Sequence, residues 1–183
     1  MKLRATLALG LLLATTAAAA QQTHWTRVHP SKNAKDDSKP NSPSVPDVYS
    51  LTGHFDRIVV LRMKYKANLL KCIQEELKKD DIRNGVILAG IGSVRGYEVH
   101  QVANRTFPVR EAFEKNPTEP ADIVSMNGYI VNGRVHAHIT LATSDRVMAG
   151  HLEPETQVFT FAIVTVGVMN GTNLARIDDM TYR

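Results

Sequence analysis

Cysteine is almost absent from this chain of 183 residues, in which Cys72 is the only one. A single cysteine cannot form a disulfide within the chain. A strong excess of charge is missing too, because 22 Lys and Arg stand against 18 Asp and Glu, a net +4. So small an excess is no electrostatic footprint for nucleic acid. With 43% hydrophobic and 22% charged residues, the composition also excludes collagen-like, coiled-coil and mostly disordered chains.

Long apolar runs are absent beyond the N-terminus, which reads MKLRATLALGLLLATTAAAA. This stretch begins with two basic side chains, continues with a short apolar core from Leu7 to Ala14, and ends in small residues before Gln21. That order is typical of a cleavable export signal, and the core is shorter than the about 20 apolar residues that span a membrane. We therefore expect residues 1–20 to be a signal peptide. The mature protein is then periplasmic or secreted, with no membrane span.

The segment after this signal has little apolar periodicity. Residues 21–47 contain four prolines among many Ser, Lys, Asn and Asp residues, which predicts a flexible linker. Residues 48–183 have a length typical of one domain with a full hydrophobic core.

Strand patterns outnumber helical ones in this domain. One helix is predicted at Leu69–Lys79, with Asn68 as its N-cap. Gly90 to Ser93 predicts a tight exit from a strand, residues 103–120 a polar excursion with a short helix, and Asn132-Gly133 a hairpin turn. Strands are predicted at Arg57–Met63, Val86–Ala89, Tyr97–Val102, Ile123–Met126, Tyr129–Ile130, Arg134–Leu141 and Gln157–Val168. We expect an α+β fold, with a mainly antiparallel sheet of about six to seven strands flanked by one or a few helices.

Histidines form the most informative pattern. His136 and His138 are two residues apart on a predicted strand, so their side chains leave the same face. If the following loop turns back, His151 brings a third imidazole, and three imidazoles can hold one divalent metal with a fourth position open. The alternative is a solvated strand face on which the histidines bond to carboxylates such as Glu98 or Asp122.

The other histidines and motifs are weaker signals. His54 and His100 are further candidate ligands, whereas His24 and His29 fall in the predicted linker. Gly90-x-Gly92 lacks the third glycine and the helix of a dinucleotide site. Ser93 lacks the flanking glycines of a serine-hydrolase elbow.

Three segments together resemble one family. They are AGIGSV at 89–94, DIVSMNG at 122–128, and HAHITL at 136–141 followed by Gly150-His151-Leu152. In this order they resemble the PPC domain, the plants-and-prokaryotes conserved domain that plant AT-hook proteins also carry. The resemblance covers about Tyr49 to Met169.

The resemblance implies a fold, an assembly and a site. The fold is a mostly antiparallel sheet flanked by helices, assembled as a homotrimer. A divalent metal, zinc first among the candidates, is implied on His136, His138 and His151. A surrounding ligand pocket, or a set of residues that orients the histidines, is expected from Gly90, Gly92, Ser93, Asp122 and Gly150.

Three functions stay open from the sequence. The first is an exported, homotrimeric binding module for a metal or small ligand. The second is a metal-dependent enzyme that acts on a small molecule. The third is a DNA-binding protein, as the family is often labelled, although the Arg-Gly-Arg-Pro core of an AT-hook is missing here.

Overall fold

The computed structural model describes residues 25–32 and 37–178, so the predicted signal peptide lies outside the described residues. The helix α1 spans Leu69–Lys79, and a short 3-10 helix spans Ala175–Asp178. The strands are β1 Trp25–Pro30, β2 Arg57–Lys64, β3 Gly85–Val102, β4 Arg110–Asn116, β5 Ala121–Val131, β6 Arg134–Ala142, β7 Val147–Leu152 and β8 Gln157–Val168. No helix in these two ranges is both long enough and apolar enough to cross a membrane.

The predicted fold class is confirmed, with eight described strands instead of six or seven. Helix α1 has the predicted bounds, and the side chain of Asn68 accepts a hydrogen bond from the backbone nitrogen of Lys71. The hairpin between β5 and β6 turns at Asn132 and Gly133, which both have positive φ. Asn and Gly tolerate this left-handed backbone, which matches the twist of the flanking strands.

Residues Gly90 to Ser93 do not leave the sheet, as the sequence had suggested. They lie inside β3, which stays paired with β8 through irregularities of register near Gly92 and Val94. Gly92 has a φ of 137°, and a Cβ there would lie 2.2 Å from the carbonyl oxygen of Phe161. Only glycine fits so close to a neighbouring backbone, so the glycines let one long strand bend without ending.

Three strands occupy stretches that the sequence assigned otherwise. β7 begins within the stretch predicted as the loop before His151. β4 lies in the polar excursion, where a short helix was expected, and β1 lies in the predicted linker. All six residues of β1 pair antiparallel with β4, which pairs in turn with β3. Backbone pairing therefore makes β1 and β4 strands. Such pairing does not require a periodic pattern of apolar residues, so the sequence did not show it.

β3 organises the sheet. It pairs with β5 and β8 along its first part and with β4 and β7 along its last residues. Since β5 pairs with β6 and β6 with β7, the strands β3, β5, β6 and β7 form a closed circuit. β2 extends the sheet from β8, and β1 extends it from β4.

The hydrophobic core joins the helix to the inner faces of the strands. Helix α1 contributes four buried side chains, Leu69, Leu70, Ile73 and Leu77. Burying a side chain of this size stabilises the fold by roughly 1.5–3 kcal/mol. The opposite, outer face of the sheet points away from this core and carries the histidines.

A polar network fixes the turn between β6 and β7. Arg146, in this turn, donates to Tyr97 Oη at 2.6 Å and to Glu119 Oε2 at 2.8 Å. The Tyr97 hydroxyl donates to the same Glu119 oxygen at 2.5 Å. Burial, the carboxylate of Glu119 and the resulting hydrogen bond raise the pKa of Tyr97. The network therefore ties the start of β7 to β3 and positions the strand that carries His151.

Candidate metal site

A row of histidines crosses three neighbouring strands. His138 on β6 lies opposite His151 on β7, and His151 lies opposite His100 on β3. Directly opposed residues in an antiparallel sheet share one face, so the three rings project together. His136 precedes His138 by two residues and adds a fourth ring on that face.

The distances between ring centroids make this a single cluster. His151 lies 4.9 Å from His136, 5.8 Å from His138 and 4.6 Å from His100. His136 and His138 lie 5.5 Å apart. Between these two, Ala137 points into the core, which shows that the histidines leave the outer face of β6.

A buried carboxylate joins two of the rings. Glu153 Oε1 lies 2.7 Å from His100 Nδ1 and 3.3 Å from His151 Nδ1, and Glu153 Oε2 accepts from Lys32 Nζ at 2.6 Å. Burial alone would raise the pKa of this carboxyl group, but the hydrogen bonds with His100 and Lys32 and the nearby ring of His151 outweigh burial and hold the pKa far below its ordinary value. Glu153 is therefore an anion facing the histidines.

A second buried carboxylate lies on the other side of His100. Glu111 Oε1 is 3.8 Å from His100 Nε2 and accepts a hydrogen bond from Ser31 Oγ at 2.8 Å. The backbone nitrogen of Lys32 donates to Glu111 Oε2. The two ring nitrogens of His100 thus face two different carboxylates.

His138 differs from His100 in its electrostatic environment. Burial, followed by the nearby rings of His151 and His100, lowers its pKa below the ordinary histidine value. The neutral imidazole is the form that binds metals, so this environment favours a ligand rather than a cation.

Two observations show that a metal fits this cluster. His100, His151 and Glu153 can each offer a ligand atom, and these atoms lie within 4.8 Å of one another. Among the described residues, His151 Nδ1 is a buried nitrogen without a hydrogen-bond partner, although it lies 3.3 Å from Glu153 Oε1. Buried nitrogens without partners are rare, and imidazole with carboxylate is a donor set that zinc accepts.

The structure brings together the three histidines predicted as ligands and adds His100 to them. His54 lies elsewhere, exposed beside Asp56. Neither Glu98 nor Asp122, the predicted carboxylate partners, makes a described contact with a histidine, and Glu153 and Glu111 lie in that place instead.

The predicted pocket residues do not surround the histidines. Gly90 packs on Met126, and Ser93 exchanges a hydrogen bond with Thr160. Gly92, Ser93 and Asp122 lie together where β3 pairs with β5, at least seven residues along β3 from His100. Only Gly150 adjoins the site, where a Cβ would lie 2.4 Å from the carbonyl oxygen of His100. Its role is to let β7 approach β3.

A broad cleft opens beside the cluster. Its volume is about 1040 Å³, and all four histidines and Glu153 line it together with side chains from α1 and the N-terminal segment. This volume suits a small ligand next to the imidazoles.

The sequence contained weak signals for the residues that were missed. Glu153 follows His151 by two residues, a spacing that places both on one strand face. His100 lies in a predicted strand, but its opposition to His151 depends on the pairing of β3 with β7. Glu111 and Lys32 were hidden because β4 and β1 were not predicted.

Fold and site define a class: a small α+β domain whose sheet carries a histidine–carboxylate cluster on its outer face. The model of the Plants and Prokaryotes Conserved (PCC) domain matches residues 50–170, and the chain belongs to this family. The resemblance to the PPC domain, which is the same family, is confirmed. A comparison with curated proteins finds no match.

Solved structures share the fold. A plant- and prokaryote-conserved protein of Pyrococcus horikoshii has 21% identity and a TM-score of 0.56, over 69% of this chain and 87% of its own. A metal-containing protein of Archaeoglobus fulgidus has 21% identity and a TM-score of 0.56, over 67% and 86%. A protein of Bacteroides thetaiotaomicron described as a candidate DNA-binding protein has 21% identity and a TM-score of 0.51, over 64% and 82%.

Proposed function

We propose that this protein is an exported, homotrimeric binding module that holds a divalent metal, zinc first among the candidates, through His136, His138 and His151. The observation that carries the proposal is the grouping of these three rings on one outer sheet face beside an anionic carboxylate. The structural neighbour from Archaeoglobus fulgidus, described as containing metal, supports the same chemistry.

The ring spacing supports three imidazoles around one ion. With nitrogen ligands at about 2.0–2.1 Å in a tetrahedral arrangement, imidazole centroids lie roughly 5 Å apart. The three centroid distances among His136, His138 and His151 are 4.9, 5.5 and 5.8 Å. These spacings suit one ion, and side-chain rotation is required to bring one nitrogen of each ring to a common point.

The other possible ligand set shares His151 and adds His100 and Glu153. Against it, Glu153 is already engaged by Lys32 and His100. Ring stacking does not separate the two sets, since a stacked pair occurs in each of them. We assign Glu153 to orienting His151, as carboxylates commonly do for ligating histidines, and His100 to packing against the same ring.

A bound metal of this kind supplies a Lewis acid with one open position for water or a small ligand. The cleft beside it gives a small molecule room to reach that position. The same observation favours a second candidate function, a metal-dependent enzyme. An enzyme would turn over a small molecule and would lose this activity when the metal is removed. The binding module would show no turnover.

An exposed apolar area on the outer face supports the homotrimer. Val60, Ile91 and Val124 on β2, β3 and β5 are 63%, 53% and 56% exposed. Ile58, Leu88 and Phe159 are exposed on the same strands and on β8. Large apolar side chains exposed on neighbouring strands of one sheet are common at interfaces. A second copy of the chain is the proposed partner, and export rests on the predicted signal peptide.

The experiment is elemental analysis of the protein, purified without a histidine tag, beside the triple variant His136→Ala, His138→Ala, His151→Ala. We expect about one metal per chain in the wild type, as for any three-histidine site, and almost none in the variant. The same metal content in both proteins would refute the site. A wild type that takes up no zinc on addition would refute the function.

A further inference from the structure

The N-terminal strand lies outside the part of the chain that the family model matches. That match begins at residue 50, whereas β1 ends at Pro30. β1 is nevertheless a full member of the sheet, paired with β4 from Trp25 to Pro30. The segment is therefore an addition of this chain to the common fold.

The two residues that follow β1 reach both buried carboxylates of the site. Ser31 Oγ lies 2.8 Å from Glu111 Oε1 and 2.5 Å from Asp37 Oδ2, so its one proton lies between two carboxylates. Lys32 Nζ donates to Glu153. Lys32 Nζ also lies 4.5 Å from the ring centroid of Phe113, which packs against the ring of His100 at 4.8 Å. One short segment thus contacts three neighbours of His100, namely Glu111, Glu153 and Phe113.

These contacts bear on His151 through Glu153. One carboxylate oxygen of Glu153 accepts a hydrogen bond from the ammonium group of Lys32, and the other faces His100 and His151. Without Lys32, the first oxygen would be a buried, unpaired charge, and the carboxylate would rotate or draw in water. The ring of His151 would then lose the group that sets its orientation.

We infer that Lys32 and Ser31 are positioning residues of the metal site. The N-terminal strand then helps to form the site and is not part of a linker. The inference rests on the proposed metal-binding function. It assigns the site a component that the conserved domain does not contain.

The test compares Lys32→Met with Lys32→Arg and with Lys39→Met in the full chain. Lys39 is exposed in the same N-terminal region, so its variant removes the same charge away from the site. Two readouts are taken: zinc affinity by competition with a coloured chelator, and the visible absorption spectrum of the cobalt-loaded protein. The spectrum reports the geometry of the ligands, which loss of stability alone does not change.

We expect Lys32→Met to weaken zinc binding by about ten-fold or more, the usual effect of losing a residue that orients a ligand, and to change the cobalt spectrum. Lys32→Arg restores the charge and largely restores both, and Lys39→Met matches the wild type. Should Lys32→Met fold poorly, Ser31→Ala, which keeps the net charge, is expected to weaken binding in the same direction.

The outcomes separate this inference from the proposed function. If wild-type protein binds zinc and Lys32→Met binds it equally tightly with an unchanged cobalt spectrum, the inference is wrong and the metal site stands. If wild-type protein binds no zinc, the proposed function and the inference both fail.

Discussion

His151 is the residue on which the site depends. Its ring lies within 6 Å of three other imidazoles, and its register pairs it with both His100 and His138. On its buried side, Nδ1 faces Glu153. Two neighbouring residues have different parts in the proposed site. The lowered pKa of His138 favours the neutral imidazole that binds a metal, and the anionic Glu153 faces the other nitrogen of a ligating ring and orients it.

At the scale of elements, the site exists because β7 lies between β6 and β3. The turn before β7 is held by Arg146 with Tyr97 and Glu119. At the other end, close packing at Gly150 brings β7 against the backbone of β3. The histidines are thus held by strand register rather than by long loops.

Gly150→Ala tests this dependence on register. The new methyl group would lie 2.4 Å from the carbonyl oxygen of His100, so β7 must move away from β3. We expect a loss of about 1–3 kcal/mol in the free energy of unfolding, measured with urea, and weaker zinc binding. As a control, Gly171→Ala meets its nearest atom at 3.6 Å and should change neither. Wild-type zinc affinity in Gly150→Ala would show that the approach of the two strands is not needed.

At the scale of the whole molecule, two parts of the outer face differ in chemistry. The histidines lie at one part, and the apolar area from β2 to β5 lies at another. In the proposed homotrimer, the apolar area is covered by a second copy. Sheet edges and apolar faces are often covered in this way by assembly.

Val60→Glu tests the assembly. A carboxylate in the centre of a buried interface costs far more than one on a free surface, so we expect the mass from light scattering to fall from three chains to one. Val48→Glu, at a valine that is 75% exposed and precedes the family match at residues 50–170, should leave the mass unchanged. A wild type that is already monomeric at micromolar concentration would contradict the trimer.

The sequence predicts those elements that depend on residues close together in the chain, such as caps, turns and apolar spacing. Asn68 with the apolar spacing of Leu69–Lys79 fixes a helix, Asn132-Gly133 fixes a hairpin, and β8 has its predicted bounds. β1 and β4 escaped prediction because partners far along the chain stabilise them. Glu153 escaped prediction and His100 was only a further candidate for the same reason, since the place of each depends on which strands become neighbours.

The central claim is that His136, His138 and His151 bind the metal while His100 only orients one of them. The most direct measurement is the zinc content of His138→Ala and His100→Ala after equal exposure to zinc and dialysis. We expect His138→Ala to lose almost all zinc and His100→Ala to retain stoichiometric zinc with a weaker affinity, by about ten-fold. An empty His100→Ala beside a fully loaded His138→Ala would contradict this account and place the metal on His100, His151 and Glu153.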